Sequence, residues 1–272
     1  MQESQVLNLS DLVGHSPMLE QMMRSVQAGR IVHALLFVGP SGTGKRTAAS
    51  LLARAMLCRG QEKPCGVCPA CKMVLNGTHP DVRVFAPEKR SLGIDTIRAL
   101  IDYLALKPYE GGLHIAIVES AERMTPNAQN ALLRTLESPP GDAVIFLLSE
   151  NTSALLPTIL SRCQSVRFNG LAPADCSRAL RARGFAPARA DILAELSQGS
   201  VGRSLEIDAD EGYFPLREKV FRALQTLKGP DSVAQAAQEL SEGKENAPAI
   251  LEILEVIARD LMQLQNGGTI QQ

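Results

Sequence analysis

The segment that most constrains the fold is Val38 to Ser50, which has the sequence VGPSGTGKRTAAS. Gly39 to Lys45 fit the pattern G-x-x-x-x-G-K, in which glycines let backbone N–H groups converge on phosphate oxygens and the lysine adds a positive charge. The apolar run ALLFV precedes the loop, and apolar residues at helical spacing follow it. The sequence therefore predicts a strand, a phosphate loop and a helix whose N-terminus faces the anion.

Two groups that a hydrolytic nucleotide site requires are missing from this pattern. A Ser or Thr directly after the lysine normally ligates Mg²⁺, but the residue there is Arg46, whose guanidinium cannot ligate a cation. The strand HIAIV should be followed by Asp-Glu, with the second carboxylate orienting the attacking water. Here the pair is Glu119-Ser120, and a serine cannot polarise water at neutral pH. The sequence argues against bound Mg²⁺ and against intrinsic hydrolysis, and it leaves ATP or ADP binding open.

The predicted nucleotide contacts of the loop and the acidic strand are Gly39, Ser41, Gly42, Thr43, Gly44, Lys45, Arg46 and Glu119. Two roles for Arg46 are open from the sequence. Its guanidinium can replace the metal's charge against a bound phosphate, which would give magnesium-independent nucleotide binding, or it can point to solvent beside an empty loop. A cation in the first helical turn also opposes the helix macrodipole by roughly 0.3–1 kcal/mol, unless an anion lies close to it.

Short strands alternate with helical segments over the first 168 residues. ALLFV, HIAIV and AVIFLLS are near-continuous apolar runs, and residues 126–137 between the last two have helical spacing. This order is typical of an α/β fold with a parallel sheet covered on both faces. From residue 169 onward the strand signals stop. We predict a nucleotide-binding-type core at 1–168, a helical lid at 169–210 and a helical region at 211–272.

Four cysteines lie close together in the array C-x6-C-x2-C-x2-C, and they are Cys58, Cys65, Cys68 and Cys71. Four thiolates satisfy tetrahedral Zn²⁺, and two-residue gaps let successive cysteines turn onto one ion. With every position filled by sulfur, the metal would fold residues 58–71 rather than catalyse a reaction. An iron–sulfur cluster and free thiols are the alternatives.

Three segments resemble the clamp-loader branch of the AAA+ proteins, and they are HALLFVGPSGTGK, NAQNALLRTLESPPGDAVIFLLSE and LPTILSRCQSVRF. With the four-cysteine insertion, they make residues 10–207 similar to the delta prime and gamma/tau subunits of bacterial DNA polymerase III. The residues Arg46, Glu119 and Ser120 favour the delta prime branch, because gamma/tau keeps Lys-Thr or Lys-Ser and Asp-Glu. The resemblance implies an AAA+ core with a zinc-binding insertion, a small helical lid and a collar. Residues 211–272 are fewer than that family's collar contains, so the collar is either short or truncated.

The same resemblance implies roles for two arginines. Arg162, in the segment SRC, matches an arginine that projects into the nucleotide site of the neighbouring subunit and would act there in trans. Arg203, in GSVGRSLEI, matches the second sensor of the lid, which would lie over the nucleotide phosphates in cis. The alternatives are a helix-end arginine paired with a surface carboxylate for Arg162, and a packing or capping residue for Arg203.

A member of that family would act as a stator in a hetero-oligomeric ring with delta and gamma/tau. The ring loads the sliding clamp onto primed DNA in the cytoplasm, and the chain would form part of DNA polymerase III without being catalytic by itself. The rival interpretation is an active ATPase of the gamma/tau type. A third interpretation, a zinc module that reads nucleic acid, is disfavoured by a net charge of −1 and by the few aromatic residues near the cysteines. No apolar run reaches the roughly 18 residues of a membrane span, so no membrane association is expected.

Overall fold

The computed structural model describes residues 16–30, 32–87, 90–110, 112–227, 229–241 and 247–265. The start of the predicted core and the polar C-terminal residues 266–272 lie outside these ranges. The chain forms two compact units, of which the first ends at Arg203 and the second begins at Ser204. Across the described ranges, none of the helices has the length and apolar content that a membrane span needs.

A five-stranded sheet forms the centre of the first unit. Its strands are β1 (Ala34–Val38), β2 (Val82–Phe85), β3 (His114–Val118), β4 (Ala143–Ser149) and β5 (Gln164–Arg167), in the spatial order β2-β3-β4-β1-β5. Every pair of neighbouring strands is parallel. Val38 at the end of β1 lies opposite Ser149 and Arg167. Because parallel strands end at the same edge, the residues that follow β1, β3 and β4 meet there.

Helices cover both faces of this sheet. The first unit contains α1 (Ser16–Gln27), α2 (Lys45–Leu57), α3 (Pro69–Leu75), α4 (Ile94–Ala105), α5 (Pro126–Glu137), α6 (Pro157–Leu160), α7 (Pro173–Ala182) and α8 (Pro187–Leu196), and α9 (Val201–Ala209) crosses the unit boundary. Leu35 and Phe37 pack with α1 and α2, while Ala34 and Leu36 pack with α4 and α5 on the opposite face. Every residue of β3 and β4 is buried, which confirms the predicted sheet covered on both sides.

The second unit is helical, with α10 (Tyr213–Gln225), α11 (Pro230–Ser241) and α12 (Ala247–Gln265). The sequence predicts a helix at 247–265 with one apolar stripe that includes Ile250, Leu251 and Leu261. In the structure Ile250, Ile253 and Val256 are buried, whereas Leu251 and Leu261 are exposed. The face of α12 that packs is therefore rotated relative to the predicted stripe.

Candidate functional site

The loop between β1 and α2 has the backbone geometry of an anion-binding nest. Gly42 and Gly44 have φ values of 70° and 90°, a region that glycine enters without the steric cost that other residues meet. Gly39 is required for a different reason, since a Cβ there would lie 1.9 Å from the carbonyl oxygen of Phe168. The glycines of the motif thus shape the loop and allow β5 to end beside it.

The loop lysine is held by the loop itself. Lys45 Nζ donates hydrogen bonds to the carbonyl oxygens of Gly39 and Pro40 at 2.5 and 2.7 Å. Thr43 Oγ1 also donates to the Pro40 carbonyl, at 2.8 Å. Burial lowers the pKa of Lys45 from its ordinary value, and the carboxylates of Glu150 and Glu122 partly oppose that shift. The ammonium group lies in a partly desolvated position between backbone carbonyls and two acidic side chains.

Arg46 and Glu119 form an ion pair at the position where a metal shell is expected. Arg46 Nε lies 3.1 Å from Glu119 Oε1, although the N–H is not aligned for a hydrogen bond. Arg46 is more than half exposed and Glu119 is about a quarter exposed, so the pair is worth about 1 kcal/mol or less. Arg46 therefore has an acidic neighbour in its own chain, and its charge is directed at the end of β3.

Ser120, which follows Glu119, turns the chain away from the site. It has a left-handed φ of 52°, and the next three residues, Ala121–Arg123, form a 3₁₀ turn. Glu122 belongs to that turn, but its carboxylate returns to the end of β4. One of its oxygens accepts hydrogen bonds from Ser149 Oγ at 2.9 Å and from the Glu150 N–H at 3.1 Å.

The beginning of α9 is fastened to the phosphate loop. Ser200 Oγ donates a hydrogen bond to the Ser41 carbonyl at 2.8 Å and accepts one from the Arg203 N–H at 3.1 Å, so it caps α9 and contacts the loop. The Gly202 N–H donates to the Gly42 carbonyl at 3.0 Å. A Cβ on Gly202 would lie 2.6 Å from Gly42 Cα. The two backbones touch so closely that only glycine fits.

Arg162 follows α6 and contacts the C-terminal end of α5. Its Nε donates a hydrogen bond to Glu137 Oε1 at 2.7 Å, and its Nη2 contacts the same oxygen. Its Nη1 donates to the Thr158 carbonyl at 3.0 Å. The arginine is about one-third exposed. The sequence left open that Arg162 pairs with a surface carboxylate, and the structure contains such a pair with Glu137. Because the arginine is partly exposed, its guanidinium is also accessible to another subunit.

The four cysteines converge on one point. Their sulfur atoms all lie within 4.8 Å of one another, and tetrahedral zinc with Zn–S distances of about 2.3 Å requires sulfur separations of about 3.8 Å. The residues present therefore fit a Zn²⁺ ion with four thiolate ligands. Such an ion would be structural, because no ligand position is left for substrate.

Backbone N–H groups support the sulfur atoms of this cluster. The Cys65 N–H points to Cys58 Sγ at 3.3 Å, the Cys68 N–H to Cys65 Sγ at 3.4 Å and the Cys71 N–H to Cys68 Sγ at 3.5 Å. Hydrogen bonds from Cys68 and Val67 lower the pKa of Cys65 to about 6, whereas burial raises the pKa of Cys71 to about 12. Metal binding removes the proton of a coordinating thiol in either case.

A buried carboxylate fixes the loop beside the cysteine module. Asp81 is 1% exposed, and its two oxygens accept hydrogen bonds from the N–H groups of Tyr109 and Glu110 at 2.6 and 3.0 Å. The Glu110 side chain in turn pairs with Arg59, next to Cys58, at 2.9 Å. Asp81 thus determines where the α4–β3 loop meets the module.

Comparison with known proteins identifies the family. The family model described as DNA polymerase III, delta subunit, matches residues 14–172. The DNA polymerase III subunit delta′ of Bacillus subtilis is 32% identical over 256 residues, which cover 92% of this chain and 78% of that protein. The chain belongs to the DNA polymerase III delta′ family.

A tau subunit shares part of the length of this delta′ family member, and a RuvB structure shares only its fold. The DNA polymerase III subunit tau of Escherichia coli is 35% identical over 165 residues, which cover 60% of this chain and 25% of that protein. The solved structure of the Thermotoga maritima RuvB Holliday junction branch migration motor aligns with a TM-score of 0.51 at 13% identity, over 97% of this chain and 85% of that one. At that identity the likeness shows the fold alone, which is the AAA+ fold.

Within this delta′ family member, the structure brings Lys45, Arg46 and Glu119 together at one sheet edge and places Arg162 and the cysteines elsewhere.

The sequence analysis did not predict two residues that contact the predicted site residues, namely Ser200 and Glu137. Ser200 had a recognisable signal, because a serine directly before a helix is a preferred N-cap. Glu137 had none, since its partner Arg162 is 25 residues away in the chain.

Proposed function

We propose that this chain is the delta′ subunit of a DNA polymerase III clamp loader and acts as a stator with little or no intrinsic ATP hydrolysis. The Arg46–Glu119 ion pair carries the proposal. Arg46 stands where a metal-binding hydroxyl is required, and Glu119 stands where an acidic metal ligand is required. Arg46 places a cation of the protein itself at this position, so Mg²⁺ would have to displace the guanidinium to bind Glu119 there.

The charges around the phosphate loop support the same proposal. The charges of Lys45 and Arg46 are balanced by the carboxylates of Glu119, Glu122 and Glu150. Burial lowers the pKa of Lys45, and the carboxylates of Glu150 and Glu122 partly oppose that shift. A triphosphate brings several negative charges, and Mg²⁺ normally neutralises part of them. Without the metal, repulsion from these carboxylates weakens binding. Any ATP or ADP held here would lie in a site with no carboxylate after Glu119 to orient water.

The contact between the loop and α9 fits a subunit whose lid does not respond to nucleotide. Ser200 and Gly202 bond directly to the backbone of Ser41 and Gly42. A lid that is already fastened to the phosphate loop needs no γ-phosphate to hold it. We propose that Arg203, in this first turn of α9, caps and packs rather than senses a bound nucleotide.

We further propose that Arg162 acts in trans on the nucleotide site of a neighbouring subunit. Its exposed guanidinium would leave Glu137 and approach the γ-phosphate bound by that neighbour, where an arginine stabilises developing negative charge. The partners proposed for the ring are gamma/tau and delta. The sliding clamp and primed DNA would be engaged through the assembled ring, with a zinc ion holding residues 58–71 in shape.

Reconstitution with gamma/tau and delta subunits tests the trans role. Arg162→Ala should lower DNA-stimulated ATP hydrolysis by the complex while the complex still assembles, because arginine fingers contribute about 10³ to 10⁵ in rate at the site they serve. Arg178→Ala is the matched control, since Arg178 is also an exposed arginine paired with a carboxylate, Asp175. Unchanged turnover with Arg162→Ala would exclude the trans role.

A further inference from the structure

The guanidinium of Arg162 is turned toward its own chain. Its Nε and Nη2 atoms both donate to Oε1 of Glu137, the former at 2.7 Å. Its Nη1 atom donates to the Thr158 carbonyl at 3.0 Å and to Ser161 Oγ at 3.3 Å. A guanidinium has five N–H donors in fixed directions. Contacts within the described part of the chain therefore occupy four of them, and one N–H of Nη2 is left for another molecule.

Glu137 contacts the edge of the guanidinium that Nε and Nη2 form. Two parallel N–H groups on one edge are the arrangement that binds a carboxylate or a phosphate most strongly. While Glu137 accepts from both groups, that edge cannot bind a γ-phosphate. Arg162 must therefore leave Glu137 before this edge can act on a nucleotide that a neighbouring subunit holds.

The position of Glu137 in its helix gives no local reason for a carboxylate. Glu137 is the last residue of α5, and a negative charge at a helix C-terminus opposes the helix macrodipole. The cation that compensates this charge comes from Arg162, which lies 25 residues further along the chain. An acidic residue at this position is thus explained by its contact with Arg162 and not by the helix that carries it.

The contact can be exchanged without movement of the backbone. The Arg162 N–H donates to the Ile159 carbonyl at 3.1 Å, and the Ile159 side chain is fully buried. The side chains of Arg162 and Glu137 are 32% and 51% exposed. Exposed ion pairs favour the paired state by only about two- to fivefold, because water and salt screen their charges. A contact of this strength holds the arginine while no other anion is near and releases it to the greater charge of a triphosphate.

We propose that Glu137 is a positioning residue that holds Arg162 away from the neighbour's nucleotide until the γ-phosphate takes its place. This inference rests on the proposed trans role of Arg162. Glu137 stabilises the withdrawn arginine, and its negative charge repels an approaching phosphate. Both effects lower the fraction of complexes in which Arg162 is engaged, and turnover at the neighbouring site falls with that fraction. We expect the effect to be largest in the complex without DNA, where engagement is least complete.

ATP hydrolysis by the complex with gamma/tau and delta subunits, measured without DNA, tests this role. Turnover is measured for each variant with and without Arg162→Ala, and the difference is the part that depends on Arg162. Glu137→Gln keeps the size of the side chain and an acceptor oxygen but removes the charge. It should raise the Arg162-dependent part by about two- to fivefold. Turnover in the Arg162→Ala background should not change. Mere damage to α5 would lower turnover rather than raise it.

Asp175→Asn is the matched control, because Asp175 is the carboxylate partner of another exposed arginine, Arg178. It should leave turnover at the wild-type value. Unchanged or lower turnover in Glu137→Gln overturns the inference, and so does an increase that persists with Arg162→Ala. If Glu137→Gln does not assemble into the complex, Glu137→Ala decides by the same criteria, and failure of both variants to assemble also overturns the inference.

The same measurements separate this inference from the proposed function. If Arg162→Ala changes turnover neither with nor without DNA, the trans role itself fails and the inference fails with it. If Arg162→Ala lowers turnover but Glu137→Gln does not raise it, the trans role stands and the restraint by Glu137 alone is refuted.

Discussion

The guanidinium of Arg46 lies 3.1 Å from the carboxylate of Glu119. Arg46 directly follows the loop lysine, and Glu119 directly follows β3. Each residue alone departs from the pattern of a magnesium-dependent site. Together they replace a metal ion between two protein ligands with an ion pair inside the chain.

Substituting Arg46 should change how nucleotide binding depends on magnesium. In Arg46→Thr a hydroxyl stands after Lys45 and Glu119 loses its cationic partner, so both become available to Mg²⁺. We expect ATP to bind this variant at least about tenfold more tightly with Mg²⁺ than with a chelator. The wild type should show no such difference. Fluorescence titration with a labelled ATP analogue measures both.

The control for Arg46→Thr is Arg98→Thr, which removes another exposed arginine from a helix surface. It should behave as the wild type does. Magnesium-enhanced binding already present in the wild type would contradict the account of the ion pair.

The three central strands and several of the helices could be predicted because their apolar patterns are strong. β3, β4, α5 and α12 have the predicted bounds, His114–Val118, Ala143–Ser149, Pro126–Glu137 and Ala247–Gln265. The burial of α12 differs because α12 packs against α10 and buries Ile253 and Val256 rather than Leu251. An apolar stripe in the sequence predicts the direction of a helix's buried face only to within about 100°, the rotation between successive residues.

The residue types of the candidate site were also visible in the sequence, whereas their pairings were not. Comparison with the motif alone shows that Arg46 replaces the metal-binding hydroxyl and that Ser120 replaces the carboxylate that would orient water. The partner of Arg46 depends on strand order, because Glu119 is 73 residues further along the chain. Likewise, Ser200 reaches Ser41 across 159 residues. Contacts of this kind come from tertiary structure and have no local signal.

Closing the space between the loop and α9 should destabilise the first unit. Gly202→Ala would place a methyl group 2.6 Å from Gly42 Cα, so backbone must move. We expect a loss of about 1–3 kcal/mol in the free energy of unfolding, as is usual for overpacking. Urea unfolding followed by circular dichroism measures the change. Gly112→Ala is the control, because its nearest neighbour would be a flexible side-chain atom 3.9 Å away, and a loss as large there would refute the steric explanation.

Asp81 should be important for stability although it has no proposed role with ligands. Asp81→Ala removes the buried acceptor of two partly buried N–H hydrogen bonds, from Tyr109 and Glu110. Bonds to a charged acceptor contribute about 1.5–3 kcal/mol each, so we expect the free energy of unfolding to fall by about 3 kcal/mol or more. Thermal and urea unfolding measure this loss. Asp102→Ala, at an exposed position of α4, should change stability little, and equal effects of the two substitutions would be inconsistent with the structure.

Zinc content should depend on the clustered cysteines and not on the others. Cys68→Ser removes one of four sulfur ligands, so the purified variant should retain little zinc and residues 58–71 should become sensitive to protease. Elemental analysis and mapping of the cleavage sites by mass spectrometry measure the two effects. Cys163→Ser is the matched control, because Cys163 lies outside the cluster. Zinc lost equally from both variants would argue against the four-cysteine site.

ATP hydrolysis by the purified wild-type chain, with Mg²⁺ and without other subunits, tests the central claim most directly. The ion pair and the missing carboxylate after Glu119 predict no turnover above that of Lys45→Ala, whose loop cannot hold phosphate by its lysine. Magnesium-dependent turnover that persists in Ser120→Ala and disappears in Lys45→Ala would contradict the claim, because the chain would then be an ATPase in its own right.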